Sequence, residues 1–170
     1  GGVSLEVREG EILGVIGPNG SGKTTLFNSM LGQIEPDSGK VLFKGEDITN
    51  LNPMLLNKKG VGRTFQTLQV FGKMTVRDNL IVAGQEHVDS MMKRLFKSPD
   101  CDMGQRADDL IETFRLGHVA NLPAGSLSYG QQKLVDIAMA FMSKPSLVLL
   151  DEPCAGVNPS LVSRSEEHTS

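Results

Sequence analysis

Gly17-Pro18-Asn19-Gly20-Ser21-Gly22-Lys23-Thr24 is the stretch with the most legible chemistry. Its glycines let the backbone turn tightly and aim successive N–H groups into one concavity. The residues that follow read as a helix, so its free N–H groups and the positive end of its dipole face the same point. Such a cradle holds an oxyanion, and a phosphate above all. Lys23 adds a mobile ammonium suited to β- and γ-phosphates, and the Thr24 hydroxyl is suited to Mg²⁺. The pattern is G-x-x-x-x-G-K-[ST], the P-loop. It assigns phosphate contacts to Gly17, Asn19, Gly20, Ser21, Gly22, Lys23, Thr24 and Thr25.

A second stretch, Leu147-Val148-Leu149-Leu150-Asp151-Glu152, supplies what a phosphate cradle lacks. Four apolar residues before two acids read as a buried strand of a parallel sheet that delivers carboxylates at its C-terminal end. ATP hydrolysis needs one carboxylate to hold Mg²⁺ and another group to activate water. Asp151, at the strand's end, suits the metal, and Glu152 suits the general base. By themselves the two acids would be read as caps of the following turn. The glycine loop reverses that preference.

The elements that must position these groups follow from hydrophobic period and turn chemistry. Val3–Val7 and Ile12–Ile16 are expected strands around a turn at Arg8-Glu9-Gly10. Thr24–Leu31 is an expected helix, with Leu26, Phe27, Met30 and Leu31 on one face. Glu35-Pro36-Asp37-Ser38-Gly39 is a turn, followed by a strand at Lys40–Phe43 and a second turn at Lys44-Gly45-Glu46. Asn52 caps a short helix starting at Pro53, and Val61–Phe65 is a strand running into Gln66. From Thr75 the pattern becomes helical. One helix spans Thr75–Ala83 and another Gln105–Leu116, the latter with Ala107, Leu110, Ile111 and Phe114 on one face. Between them, Gln85–Met103 carries methionines and basic residues, fitting either a solvated connector or a partner surface. Ser128 is placed to cap a helix whose apolar face is Leu134, Ile137, Ala138 and Phe141.

Bulk properties narrow the classes. The chain has 170 residues, 39% of them hydrophobic and 22% charged, which suits a single globular domain. A formal net charge of −3 gives no reason to expect nucleic acid as a partner. No apolar run has the length of a membrane span, so membrane contact is expected through a partner. Cys101 and Cys154 have no metal-ligand spacing and read as free thiols in a reducing compartment.

Taken together, Gly17–Thr24, Gln66 after a strand, Leu127-Ser128-Tyr129-Gly130-Gln131, and Leu147–Asp151 followed by Glu152 resemble the nucleotide-binding domain of an ABC transporter. Order and spacing fit from Gly1 to Val162. Tyr129 stands where the signature usually has Gly. With Arg63-Thr64-Phe65-Gln66, Val70-Phe71, Met74-Thr75-Val76 and Ala155-Gly156-Val157-Asn158-Pro159, it resembles the subgroup serving bacterial branched-chain amino-acid importers.

The resemblance implies an α/β P-loop NTPase with an ABC-type mixed sheet and a helical signature subdomain. The ATP-binding domain would occupy residues 1–163, the helical subdomain about 75–142, and residues 164–170 a non-native tail. Gln66 would sit near Mg²⁺ and the γ-phosphate, joining Thr24 and Asp151 at the metal and Glu152 in catalysis. Residues from Gln66 to Asn79 would lie near the membrane subunit. Ser128, Gly130 and Gln131 would contact ATP held by the opposite subunit, and Asn158 would cross that interface. The implied partners are membrane permease subunits, a second ABC ATPase subunit (the same chain or another) and, indirectly, a solute-binding protein. The implied place is the cytoplasmic face of the bacterial inner membrane.

Departures from the family pattern bear on these expectations. No aromatic precedes Gly17 to stack on adenine, and the only His after Glu152 is His168, with no strand before it; both imply truncation, at each end. Met139 stands where the signature helix often has Arg. Rival readings are a soluble ABC ATPase without a membrane partner and a truncated nucleotide-binding module that does not hydrolyse. A small-metabolite kinase would leave Leu127–Gln132 unexplained.

Overall fold

The structure is a computed structural model describing residues 2–64, 69–85 and 99–151. It divides after Pro53 into two units, Gly1–Pro53 and Met54–Ser170. Gln66, Glu152, Asn158, the 164–170 tail and most of the Gln85–Met103 connector lie outside the described residues.

In the first unit the turn at Arg8–Gly10 forms as expected. The Glu11 N–H donates to the Arg8 carbonyl (3.1 Å), and the Arg8 N–H to Glu11 Oε2 (2.8 Å). The flanking strands do not. Neither Val3–Val7 nor Ile12–Ile16 joins a β-ladder among the described residues, and Ile12 and Ile16 are 99% and 97% exposed. Apolar, β-branched composition favours a half-buried pleated surface, but a strand exists only where a neighbour takes up its N–H and C=O groups. Helix α1 (Lys23–Met30) starts at Gly22. Leu26, Phe27 and Met30 are half-buried, and only Leu31, just past the helix, is buried.

The C-terminus of α1 is a Schellman motif. The Gln33 N–H donates to the Asn28 carbonyl (2.8 Å) and the Gly32 N–H to the Ser29 carbonyl (3.2 Å). Gly32 has φ 64°, and a side chain there would put its Cβ 2.0 Å from the Leu51 carbonyl oxygen. Strands β1 (Leu42–Phe43) and β2 (Glu46–Asp47) pair antiparallel around Lys44-Gly45, shortening the expected Lys40–Phe43 strand.

Among the described residues, the second unit has one short α-helix and three longer ones. Helix α2 (Pro53–Lys58), whose first residue belongs to the first unit, leads to β3 (Val61–Arg63). Then come α3 (Val76–Gln85), α4 (Pro99–Thr113) and α5 (Tyr129–Phe141), and last β4 (Leu147–Leu149). β3 and β4 pair in parallel with Val61 opposite Leu147 and Arg63 opposite Leu149, and the Thr64 N–H continues the ladder to the Leu149 carbonyl (3.1 Å). The described strands are therefore one antiparallel and one parallel pair among helices, a mixed α/β arrangement.

Side chains close the ends of two of these helices. Thr75 caps α3, its hydroxyl accepting from the Asp78 N–H (3.0 Å) and donating to Asp78 Oδ2 (2.7 Å). Arg106 of α4 donates to the Phe141 and Met142 carbonyls at the C-terminus of α5, where backbone acceptors lack helical partners and the dipole end is negative. Val76 and Leu80 of α3, Ala107 and Ile111 of α4, and Val135 and Ala138 of α5 meet with Leu116, Val119, Leu127 and Met142 in one core. Truncating a residue as buried as Leu80 costs about 2–5 kcal/mol. α5 departs from a one-faced helix: Leu134 and Phe141 are half-buried, while Lys133, Val135 and Asp136 are buried.

Candidate functional site

The glycine loop is formed in the first unit. Gly22, at φ 93°, is the N-cap of α1 and has no side chain to cap it. The Leu26 N–H takes the Gly22 carbonyl (2.9 Å) as the first helical bond, so the N–H groups of Lys23, Thr24 and Thr25 carry no intrahelical partner. The Ser21 N–H turns back to the Pro18 carbonyl (3.2 Å). Lys23 folds over the loop, its Nζ donating to the carbonyls of Gly17 (2.7 Å) and Pro18 (2.9 Å). An ammonium has three protons, so one remains to meet a phosphate oxygen. Thr24 and Thr25 are exposed at the helix entrance. The chemistry of this arrangement is anion binding by backbone N–H groups, helix dipole and one cation.

The carboxylate expected at the metal lies in the second unit. Asp151 follows β4 and is 8% exposed. Its N–H lies 3.4 Å from Thr64 Oγ1, and its Oδ2 is buried with no hydrogen-bond partner among the described residues. A buried acceptor without a donor is costly unless a cation or an ordered water meets it. That fits a hard, oxygen-seeking ion such as Mg²⁺. No metal-binding group of three or more acidic, His or Cys side chains occurs among the described residues. Gln66 and Glu152, expected beside this acid, lie outside the described residues.

Ser128 begins α5 with a full capping box. Its hydroxyl accepts from the Gln131 N–H (3.3 Å), and Gln131 Oε1 accepts from the Ser128 N–H and hydroxyl (both 3.1 Å). Ser128 is exposed, with Gly130 and Gln131 in the first turn behind it, so another anion-attracting helix end faces outward.

Some buried polar residues escaped the sequence reading. Thr64 is one; drawing the β3–β4 pairing in parallel would have placed it beside Asp151. Asn79 is another, fully buried in α3 and bonded four ways to Phe71, Met74 and Thr75. The third is the Lys133–Asp136 pair (3.9 Å), 2% and 5% exposed. Burial pushes the Asp136 carboxyl above its ordinary value, opposed by a bond from the Gln69 N–H (3.2 Å) and the Lys133 charge. Asp136 borders a cleft of about 260 Å³ lined also by Arg63, Gln69, Phe71 and Met139. No sequence signal marks these residues, since an acid and a base three apart normally read as a solvated pair.

Comparison with known proteins puts these observations in a family context. Residues 1–155 match the ABC transporter family. The chain is 41% identical, over 94% of its length, to a probable branched-chain amino acid transport ATP-binding protein LivG of Methanocaldococcus jannaschii. It is also 41% identical, over 93% of its length, to the high-affinity branched-chain amino acid transport ATP-binding protein BraF of Pseudomonas aeruginosa. It spans about 64% of the length of each. Among solved structures, the ADP conformation of MJ1267, an ATP-binding cassette of an ABC transporter, superposes with a TM-score of 0.81 at 40% identity, covering 98% of this chain and 67% of that one. A dimeric cassette bound to ADP and Pi, MJ0796, does so with a TM-score of 0.75 at 26% identity, covering 96% and 69%.

Proposed function

This chain belongs to the ABC transporter family, and from that premise we propose that it is part of an ATP-hydrolysing subunit that powers import of branched-chain amino acids. The observation that carries the proposal is the glycine loop, where uncapped α1 N–H groups and the folded-over Lys23 converge on one anion site. The identity to LivG and BraF proteins supports the choice of solute. In this reading residues 1–163 form the ATP-binding domain and about 75–142 its helical part.

Each residue has a task. The N–H groups of Gly20 and of residues 22–25, with the Lys23 ammonium, bind the β- and γ-phosphates and hold the γ-phosphorus in place. Glu152 takes a proton from a water facing that phosphorus; the water oxygen bonds to phosphorus as the bond to the ADP oxygen breaks, and the proton leaves with phosphate. Thr24, Gln66 and Asp151 would hold Mg²⁺, which when bound neutralises charge on the phosphate oxygens. Ser128, Gly130 and Gln131 present the N-terminus of α5 to the nucleotide of a second ATPase subunit, which makes two sites per dimer. Closing and reopening of that dimer drives permease subunits, supplied by a solute-binding protein, from the cytoplasmic face of the inner membrane. No described helix is long and apolar enough to cross a membrane.

The test is reconstitution of the full-length protein with its membrane subunits in vesicles. ATP-dependent leucine uptake that disappears in Lys23→Ala is the expected result. Hydrolysis with no coupled uptake would leave a soluble ATPase and overturn the transport reading.

A further inference from the structure

A backbone strap in the second unit joins the chain that follows Gln66 to the Ser128 cap. The Gly125 N–H donates to the Gly72 carbonyl (2.9 Å) and the Ala124 N–H to the Met74 carbonyl (2.9 Å). In the other direction, the Val76 N–H donates to the Leu122 carbonyl (3.2 Å) and the Arg77 N–H to the Ala120 carbonyl (3.0 Å). Thr75 and Pro123 face each other at its centre as an antiparallel bridge. Residues 72–77 and 120–125 thus run side by side although they are far apart in sequence.

Two features make the strap specific. Gly72 and Gly125 meet backbone to backbone: a Cβ on Gly125 would stand 3.0 Å from the Gly72 oxygen and 3.2 Å from its Cα. Asn79, fully buried, fastens the Gly72 side to α3. Its Oδ1 accepts from the Phe71 N–H (2.7 Å), and its Nδ2 donates to the Thr75 (2.8 Å), Phe71 (3.1 Å) and Met74 (3.4 Å) carbonyls. Beyond the strap, each step to the cap is fixed. The Leu127 N–H bonds the Ala124 carbonyl (3.2 Å), and the Leu127 carbonyl accepts from Gln132 Nε2 (3.0 Å). Ser128 follows directly.

We propose that the Gly72–Gly125 contact and the Asn79 carboxamide are positioning elements for hydrolysis. They set where Ser128 stands relative to residues 69–77, without touching nucleotide. This rests on the ATPase reading above, in which Ser128 meets the γ-phosphate of the opposite subunit. Phosphate charge held at a fixed donor is worth most when the donor needs no rearrangement, so a small displacement of Ser128 lowers turnover and leaves ATP capture at the P-loop unchanged.

The experiment uses the full-length protein and compares Gly125→Val, Asn79→Ala, the double variant and Ala107→Gly. The last weakens α4 and the shared core without removing any of the strap's hydrogen bonds. Gly125→Val and Asn79→Ala should each lower kcat at least tenfold, with the Kd for ATP within twofold of wild type. The double variant should lose much less than the product of the two, because both act through one strap. Ala107→Gly should keep its kcat. Unchanged kcat in the strap variants, a matching fall in Ala107→Gly, multiplicative losses, or weakened ATP binding would overturn the proposal. Absence of hydrolysis by the wild-type protein would instead overturn the ATPase reading beneath it.

Discussion

Ser128 offers a substitution pair in which stability and activity should move apart. Its hydroxyl accepts from the Gln131 N–H at 3.3 Å, at an exposed helix start. Ser128→Ala removes the acceptor and should cost about 1 kcal/mol. Ser128→Asp restores it with a carboxylate, at the helix end that favours negative charge by about 0.3–1 kcal/mol. The hydroxyl's donation to Gln131 Oε1 (3.1 Å) is lost in both variants, and in Asp the Gln131 amide must turn to present its N–H₂. The net expectation is Ala below wild type by about 1 kcal/mol and Asp level with it or slightly above. For a chain of this size 1 kcal/mol is about 2–4 °C in Tm. Activity should run differently: a carboxylate facing a γ-phosphate repels it, so Asp should release phosphate more slowly than Ala despite being more stable. Thermal melts and phosphate release on the full-length protein read both quantities. Asp melting as low as Ala would refute the capping argument, and Asp turning over as fast as wild type would refute the phosphate contact.

Other expectations follow from single contacts. Gly32→Ala forces a side chain into φ 64° with its Cβ 2.0 Å from the Leu51 oxygen; left-handed backbone alone costs about 1–2 kcal/mol, so urea denaturation should show at least that loss. Asp136→Asn tests the buried carboxyl. Because burial raises its folded pKa, wild-type Asp136 favours folding fully below the ordinary carboxyl value of 3.8, and that contribution disappears as pH rises through the raised value. The stability of wild type relative to Asp136→Asn should therefore fall across that window and be level on either side; a difference independent of pH would show that the carboxyl is not desolvated.

Much of the site could be read from local chemistry. The glycine loop, the Ser128 cap, the Thr75 cap and the apolar run before Asp151 each depend on neighbours a few residues away, and each appears where its residues indicate, although β4 is one residue shorter than the run and only Leu149 in it is buried. What escaped depends on distant partners. Val3–Val7 and Ile12–Ile16 look like strands, but composition cannot say which strand receives their hydrogen bonds. Asn79 reads as an ordinary helix residue until Phe71 folds back onto it, and Gly72 and Gly125 look like loop glycines until their backbones meet. Lys133 and Asp136 break the amphipathic pattern because α5 is covered on more than one side.

The central claim is that this family member hydrolyses ATP with Glu152 as the base. Steady-state phosphate release and ATP binding by the full-length protein and its Glu152→Gln variant test it most directly. The account predicts equal ATP affinity and a loss of turnover of about 10²-fold or more, in line with removal of a general base. A variant that turns over at the wild-type rate would contradict it.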